Sequence, residues 1–255
     1  MGKSIAVAGK GGTGKTTIAA LIVLELVKRK MDPILAIDAD PDANFGEVLG
    51  IEVQQTIGDL REEILAELKN FPAGMTKAGY VQAGLHQIIE ESNGYDLITM
   101  GRGEGAGCYC YLNSLVRKFS EDLFPSYRRI VMDNEAGLEH ISRRTTYNID
   151  NLIIVVNDNP ISINTAESIV RISSTLKNKI KRLYVVSNMV RDERKKMVLQ
   201  RIEELDVEFV GDIPYDETLN NAIFAGNSLA DLTGSTAKDR VSKILDTIGG
   251  SNGDT

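Results

Sequence analysis

The chain has 255 residues, 42% apolar and 25% charged, the balance of a globular protein with a packed core. Its net charge of −7, its lack of tryptophan and an aromatic share of 5% argue against a protein held to nucleic acid by phosphate contacts or base stacking, or held to anionic lipid. Two cysteines are too few for a disulfide scaffold, and no run approaches the roughly 18 apolar residues of a membrane helix, so a cytoplasmic protein with reduced thiols and neither a nucleic-acid nor a membrane partner is expected.

Short apolar runs alternate with amphipathic ones along the chain. Residues 4–8 read as a buried strand and 16–30 as a helix. Further strands are predicted at 33–38, 96–100, 129–133, 151–156, 182–187 and 208–211. Helical spacing fills 162–177, 193–205, 218–225 and 236–248. This alternation predicts an α/β fold, a mostly parallel sheet of about seven or eight strands flanked by helices. One domain over 1–248 and a disordered tail at 249–255 are expected. In the stretch 56–87, residues 59–69 look helical and 70–79, with Pro72, Gly74 and Gly79, read as a loop. The stretch as a whole is expected to be an insertion on the ligand side of the sheet.

The segment Gly9-Lys10-Gly11-Gly12-Thr13-Gly14-Lys15-Thr16-Thr17 joins the first strand to the first helix. Its glycines let several N–H groups turn towards one phosphate, and the helix adds its positive end. Lys15 supplies charge to the outer phosphates, and the Thr16 hydroxyl suits Mg2+. The pattern is a P-loop, and ATP or ADP with Mg2+ is the expected ligand. Lys10 has no place in an ordinary P-loop. With it, the segment resembles the deviant Walker A ATPases, the class of MinD, ParA and the nitrogenase iron protein. The resemblance implies that Lys10 reaches across a homodimer to the other protomer's nucleotide.

After the second strand comes Asp38-Ala-Asp40-Pro-Asp42, three carboxylates where α/β sheets bind ligands. By residue type alone this could be turn chemistry. The resemblance makes it switch I, with Asp40 orienting the attacking water, Asp38 near Mg2+ and Asp42 a supporting group. Arg129–Asp133 ends a strand in Asp, as a Walker B motif does, so Asp133 is a candidate Mg2+ ligand. The following Ala136-Gly137-Leu138-Glu139 resembles switch II and implies a Gly137 N–H at the γ-phosphate; Asn134 and Glu135 occupy its variable part. The same class places an adenine-reading Asn at Asn188 and a base-covering loop at Pro214 and Tyr215. His86 and His140 are taken as structural or switch-supporting.

Both cysteines fall in Gly101-Arg-Gly-Glu-Gly-Ala-Gly-Cys108-Tyr-Cys110-Tyr. Two thiolates do not complete a soft-metal site, but two copies in a symmetric dimer supply four. Packed free thiols and a strained Cys108–Cys110 disulfide are the other readings, and residue types alone leave them open. Joined to the deviant P-loop, Gly-Cys-Tyr-Cys-Tyr resembles the CooC-type ATPases, which assist nickel insertion into carbon monoxide dehydrogenase, and their AcsF-type relatives, which serve acetyl-CoA synthase. The similarity runs from Lys3 to about Leu232. It implies a dimeric metallochaperone ATPase binding Ni2+ or Zn2+ at Cys108 and Cys110, with apo carbon monoxide dehydrogenase or acetyl-CoA synthase as partner. An iron–sulfur protein would space its cysteines differently, and a hydrogenase-type nickel GTPase would carry a histidine-rich stretch. A MinD- or ParA-like positioning ATPase remains the alternative. Against it, the last predicted helix is charge-balanced rather than basic.

Overall fold

A computed structural model describes residues 2–67, 76–102, 119, 121–134, 148–176 and 180–250. In chain order the elements are β1 (Ser4–Gly9), α1 (Lys15–Lys28), β2 (Ile34–Asp38), α2 (Phe45–Leu49), α3 (Ile57–Glu67), α4 (Lys77–Gln87), β3 (Glu90–Glu91), β4 (Tyr95–Thr99), β5 (Arg129–Asp133), β6 (Ile149–Val156), α5 (Pro160–Thr175), β7 (Ile180–Asn188), α6 (Asp192–Glu203), β8 (Glu208–Ile213), α7 (Glu217–Phe224) and α8 (Thr236–Gly250).

The strands form one eight-stranded sheet in the order β3-β4-β2-β5-β1-β6-β7-β8. Every pairing is parallel except β3 with β4 at one edge. The central strands are apolar without alternation because helices cover both faces. On one face α1, α2 and α8 pack over Ile5, Val7, Ile34, Ala36, Val131, Ile153 and Val155. On the other, Ile57, Leu60 and Ile64 of α3, Val81 and Leu85 of α4, and Ile163, Ala166 and Ile169 of α5 meet Leu35, Ile37, Ile98, Met132 and Ile154. The expected α/β sheet is therefore found, with eight strands.

Several boundaries differ for local reasons. The first helix stops at Lys28, because Lys30 turns left-handed at φ 56° and its N–H bonds the Val27 carbonyl at 2.9 Å. Of the stretch 56–87, expected as an insertion on the ligand side, 68–75 lie outside the described residues. Its two helices also cover a sheet face in the crossover from β2, while the start of the first lies against residues 100–102 beyond β4. The first begins at Ile57, because Thr56 and Asp59 cap it reciprocally: the Asp59 N–H donates to Thr56 Oγ1 at 3.1 Å and the Thr56 N–H to Asp59 Oδ2 at 2.9 Å. Of the expected loop at 70–79, residues 77–79 instead open α4, capped by Thr76, and 70–75 lie outside the described residues. Gly84 within α4 lies against the Leu60 side chain, where a Cβ would collide. α8 continues to Gly250, and 251–255 lie outside the described residues. No helix among the described residues is long and apolar enough to cross a membrane.

Candidate nucleotide site

Asp38, Asp133 and Thr99 end three adjacent strands at one level: Asp38 pairs with Asp133 across β2 and β5, and with Thr99 across β2 and β4. Asp133 also pairs with Val7 of β1, just before the glycine-rich loop. The strand order reverses around β1, whose neighbours are β5 and β6, and such switch points are where parallel sheets bind ligands.

The loop is braced from within. The Thr13 hydroxyl donates to the Lys10 carbonyl at 2.8 Å, and the Thr13 N–H donates to it at 3.3 Å. Buried Lys15 reaches the same carbonyl with Nζ at 3.5 Å. Gly14 caps α1 at φ 89°, and a Cβ there would run into the Asn188 amide. The Lys10 ammonium meets no protein acceptor among the described residues. Asn188, expected to read adenine, donates its amide to the Thr13 carbonyl at 2.8 Å and so props the loop. The Met189 N–H bonds the Ile213 carbonyl at 2.8 Å, which brings Pro214 and Tyr215 to the same edge. Tyr215 is 64% exposed.

Asp133 is 1% exposed, and neither of its carboxylate oxygens has a hydrogen-bond partner within 3.5 Å among the described residues. Burial pushes it up to about 7; Asp38 and Asp40 add to the rise, while the facing Thr16 hydroxyl and the Lys15 charge offset part of it. A buried acceptor pair with no donor is the environment that a divalent cation satisfies. No group of three or more His, Cys, Asp or Glu converges among the described residues. Mg2+ at Asp133 and Thr16 would therefore draw its other ligands from phosphate and water, as Mg2+ sites commonly do.

Burial also raises Asp38, to about 6. Its Oδ1 accepts the Asp40 N–H at 3.1 Å and its Oδ2 the Phe45 N–H at 2.9 Å, so it shapes the loop over 39–44 and starts α2. Asp40 Oδ1 accepts the Asp42 N–H at 3.0 Å, and its Oδ2 has no protein donor among the described residues. The structure thus gathers Lys10, Thr13, Gly14, Lys15, Thr16, Asp38, Asp40, Asp133, Asn188, Pro214 and Tyr215 at one edge. Cys108, Cys110, Gly137 and His140 lie outside the described residues.

Two residues at this edge were assigned no role from sequence. The Asn134 amide donates to the carbonyls of Val7 at 3.1 Å and Met132 at 3.4 Å, clamping the ends of β1 and β5. Its position directly after the Walker B Asp was the available signal. Arg102 Nη2 donates to Asp42 Oδ1 at 2.7 Å. Nothing in the sequence brings those two together.

Residues 4–229 match the family described as the CobQ/CobB/MinD/ParA nucleotide binding domain. An uncharacterised ATP-binding protein of Methanocaldococcus jannaschii is 43% identical over 217 residues, covering 84% of this chain and 85% of that protein. The carbon monoxide dehydrogenase accessory protein CooC of Rhodospirillum rubrum is 29% identical over 245 residues, 90% of each chain. Among solved structures, a ParA family ATPase from Chlorobium tepidum superposes with a TM-score of 0.70 at 20% identity, covering 95% of this chain and 98% of the other.

Proposed function

This chain belongs to the CobQ/CobB/MinD/ParA nucleotide-binding family, and from that premise we propose that it is a homodimeric MgATP hydrolase that inserts nickel into carbon monoxide dehydrogenase or acetyl-CoA synthase. The observation that carries the hydrolase is the pairing of a loop holding Lys15 with the unpartnered, buried carboxylate of Asp133. The nickel reading rests on Cys108-Tyr-Cys110 and on the CooC relative, which spans nine-tenths of both chains.

In this reading the loop N–H groups from Gly9 to Thr17, Lys15 and the end of α1 hold the phosphates. Asp133 and Thr16 hold Mg2+, which when bound supplies positive charge beside the outer phosphates. Asp38 keeps the loop over 39–44 in shape, so that Asp40 can orient a water towards the γ-phosphorus. The uncommitted Lys10 ammonium acts on the other protomer's nucleotide, adding charge where negative charge develops. The Gly137 N–H supports the γ-phosphate, and Asn188, Pro214 and Tyr215 surround the base. Cys108 and Cys110 of two protomers supply four thiolates to one Ni2+ or Zn2+ as cargo. ATP binding closes the dimer and assembles that site; hydrolysis loosens it and releases metal to the apo-enzyme.

A membrane-positioning role is disfavoured because the apolar face of α8 is already used. Ala237, Val241, Ile244, Leu245 and Ile248 are all buried in the core. Anaerobic titration with Ni2+ and with Zn2+, followed by mass determination on wild type and Cys108→Ser with and without nucleotide, tests the proposal. One metal per dimer, lost in the variant, is expected. No cysteine-dependent metal in any nucleotide state would sink nickel delivery and return attention to the positioning ATPases.

A further inference from the structure

Residues 100–102 lead out of β4 towards the two cysteines, and they are gripped from both sides. On one side the Met100 N–H donates to the Asp38 carbonyl at 2.8 Å. On the other, the Gly58 N–H donates to the Met100 carbonyl at 2.9 Å. Gly58 lies so close to the Arg102 backbone that a side chain there would strike its carbonyl. Gly101 turns left-handed at φ 63°, and the Thr56 side chain fills the place its Cβ would take. Thr56 is itself locked by Asp59, its hydroxyl donating to Asp59 Oδ2 at 2.7 Å. This short run is therefore wedged between the end of β2 and the start of α3.

Among the described residues, a side-chain contact crosses from this run to the tip of the loop over 39–44. Arg102 Nη2 donates to Asp42 Oδ1 at 2.7 Å, and the Asp42 N–H donates to Asp40 Oδ1 at 3.0 Å. Direct contacts thus run from Asp40 through Asp42 to Arg102, on the segment that continues to Cys108. Both members of the pair are 63% exposed, so the pair adds little to folding stability. A contact that the fold does not depend on can be made in one nucleotide state and broken in another at small cost. Coupling between two sites requires such an element, whose arrangement both ligands bias.

We propose that the Asp42–Arg102 ion pair is a positioning tether that links the Asp40 loop to the cysteine-bearing segment, so that the bound nucleotide sets the metal affinity of Cys108 and Cys110. The proposal rests on the nickel reading given above. Its test is a double-mutant cycle on the full chain, with Zn2+ and Ni2+ affinities measured with and without a non-hydrolysable ATP analogue and Mg2+. Wild type, Arg102→Ala, Asp42→Ala and the double variant are compared. Nucleotide-free metal affinity and the circular dichroism spectrum of Arg102→Ala should match wild type. The ratio of metal affinities with and without nucleotide should fall by up to about fivefold in each single variant, with no further fall in the double variant. The charge-swapped pair Arg102→Glu with Asp42→Arg should regain part of the ratio.

A wild-type ratio preserved in both single variants overturns the tether and leaves the nickel reading standing. Losses that add in the double variant also overturn it, because the two side chains then act separately. Cysteine-bound metal in wild type with no response to nucleotide overturns the coupling itself. Wild type with no cysteine-dependent metal overturns the nickel reading, and the tether falls with it.

Discussion

At the scale of single residues the electrostatics of Asp38 and Asp133 are the sharpest feature. Burial lifts Asp38 to about 6 and Asp133 to about 7. A carboxylate whose value in the fold exceeds its unfolded value holds its proton more tightly when folded. These two groups therefore favour the metal-free fold below the unfolded value near 3.8, and that contribution is lost as pH rises through 6 and 7. Mg2+ competes with the Asp133 proton, so Mg2+-dependent ATP affinity should climb between about pH 5.5 and pH 8. A flat profile by calorimetry would remove Asp133 from the metal site. Lys10 invites a second test. Lys10→Ala keeps the backbone carbonyl that holds Thr13 and Lys15, so ATP binding should persist while steady-state hydrolysis falls roughly a thousandfold, as for loss of an arginine finger. Turnover at the wild-type rate would exclude the role in trans. The P-loop was legible in sequence because its residues are contiguous, Asp133 was a candidate because it ends an apolar strand, and the resemblance alone supplied a candidate role for Asp40. The bond from Asn188 to Thr13 was not legible, because it joins positions far apart in the chain.

At the scale of elements, caps and pairings decide where structure begins and ends. Asp216 is the clearest case. Its Oδ1 accepts the Leu219 N–H at 3.0 Å, capping α7. Its Oδ2 accepts the Ser235 hydroxyl at 2.8 Å and the Ala237 N–H at 2.9 Å at the start of α8. Asp216→Ala should lose about 2–3 kcal/mol by denaturant unfolding, since three donors are left unmatched. Burial acts to raise Asp216, but those donors hold it below the ordinary carboxylate value. Its contribution is therefore present above the unfolded value and lost as pH falls through the depressed one, so acid should narrow the gap between wild type and variant. The amphipathic spacing of α5, α6 and α8 was readable along the chain, whereas α2, α4 and β3 were not. β3 is two glutamates made strand-like only by pairing with β4. α2 begins where Asp38 accepts the Phe45 N–H. α4 carries Gly79, which read as a loop residue, and Gly84, which lies packed against Leu60.

At the scale of the whole molecule, the parallel sheet collects motifs from along the chain at one edge, because all seven parallel strands end there. Half of the proposed reaction lies between two such edges. If Lys10 serves the other protomer, mixing Lys10→Ala with Lys15→Ala should restore hydrolysis to at most roughly a quarter of wild type, since only mixed dimers carry one intact site. No restoration, with light scattering showing that dimers form, would place Lys10 in its own protomer's site. The alternation of apolar and amphipathic runs determined the α/β class by itself, because burial on both faces leaves its mark in composition. Contiguous residues likewise determined the phosphate loop, since its function needs neighbouring N–H groups. Tertiary structure alone decided that Asp133 is buried facing the Thr16 hydroxyl, that Asp38 props a loop, and that Arg102 meets Asp42. Each of these depends on which strands and loops become neighbours, and burial and charge take their value only from that neighbourhood.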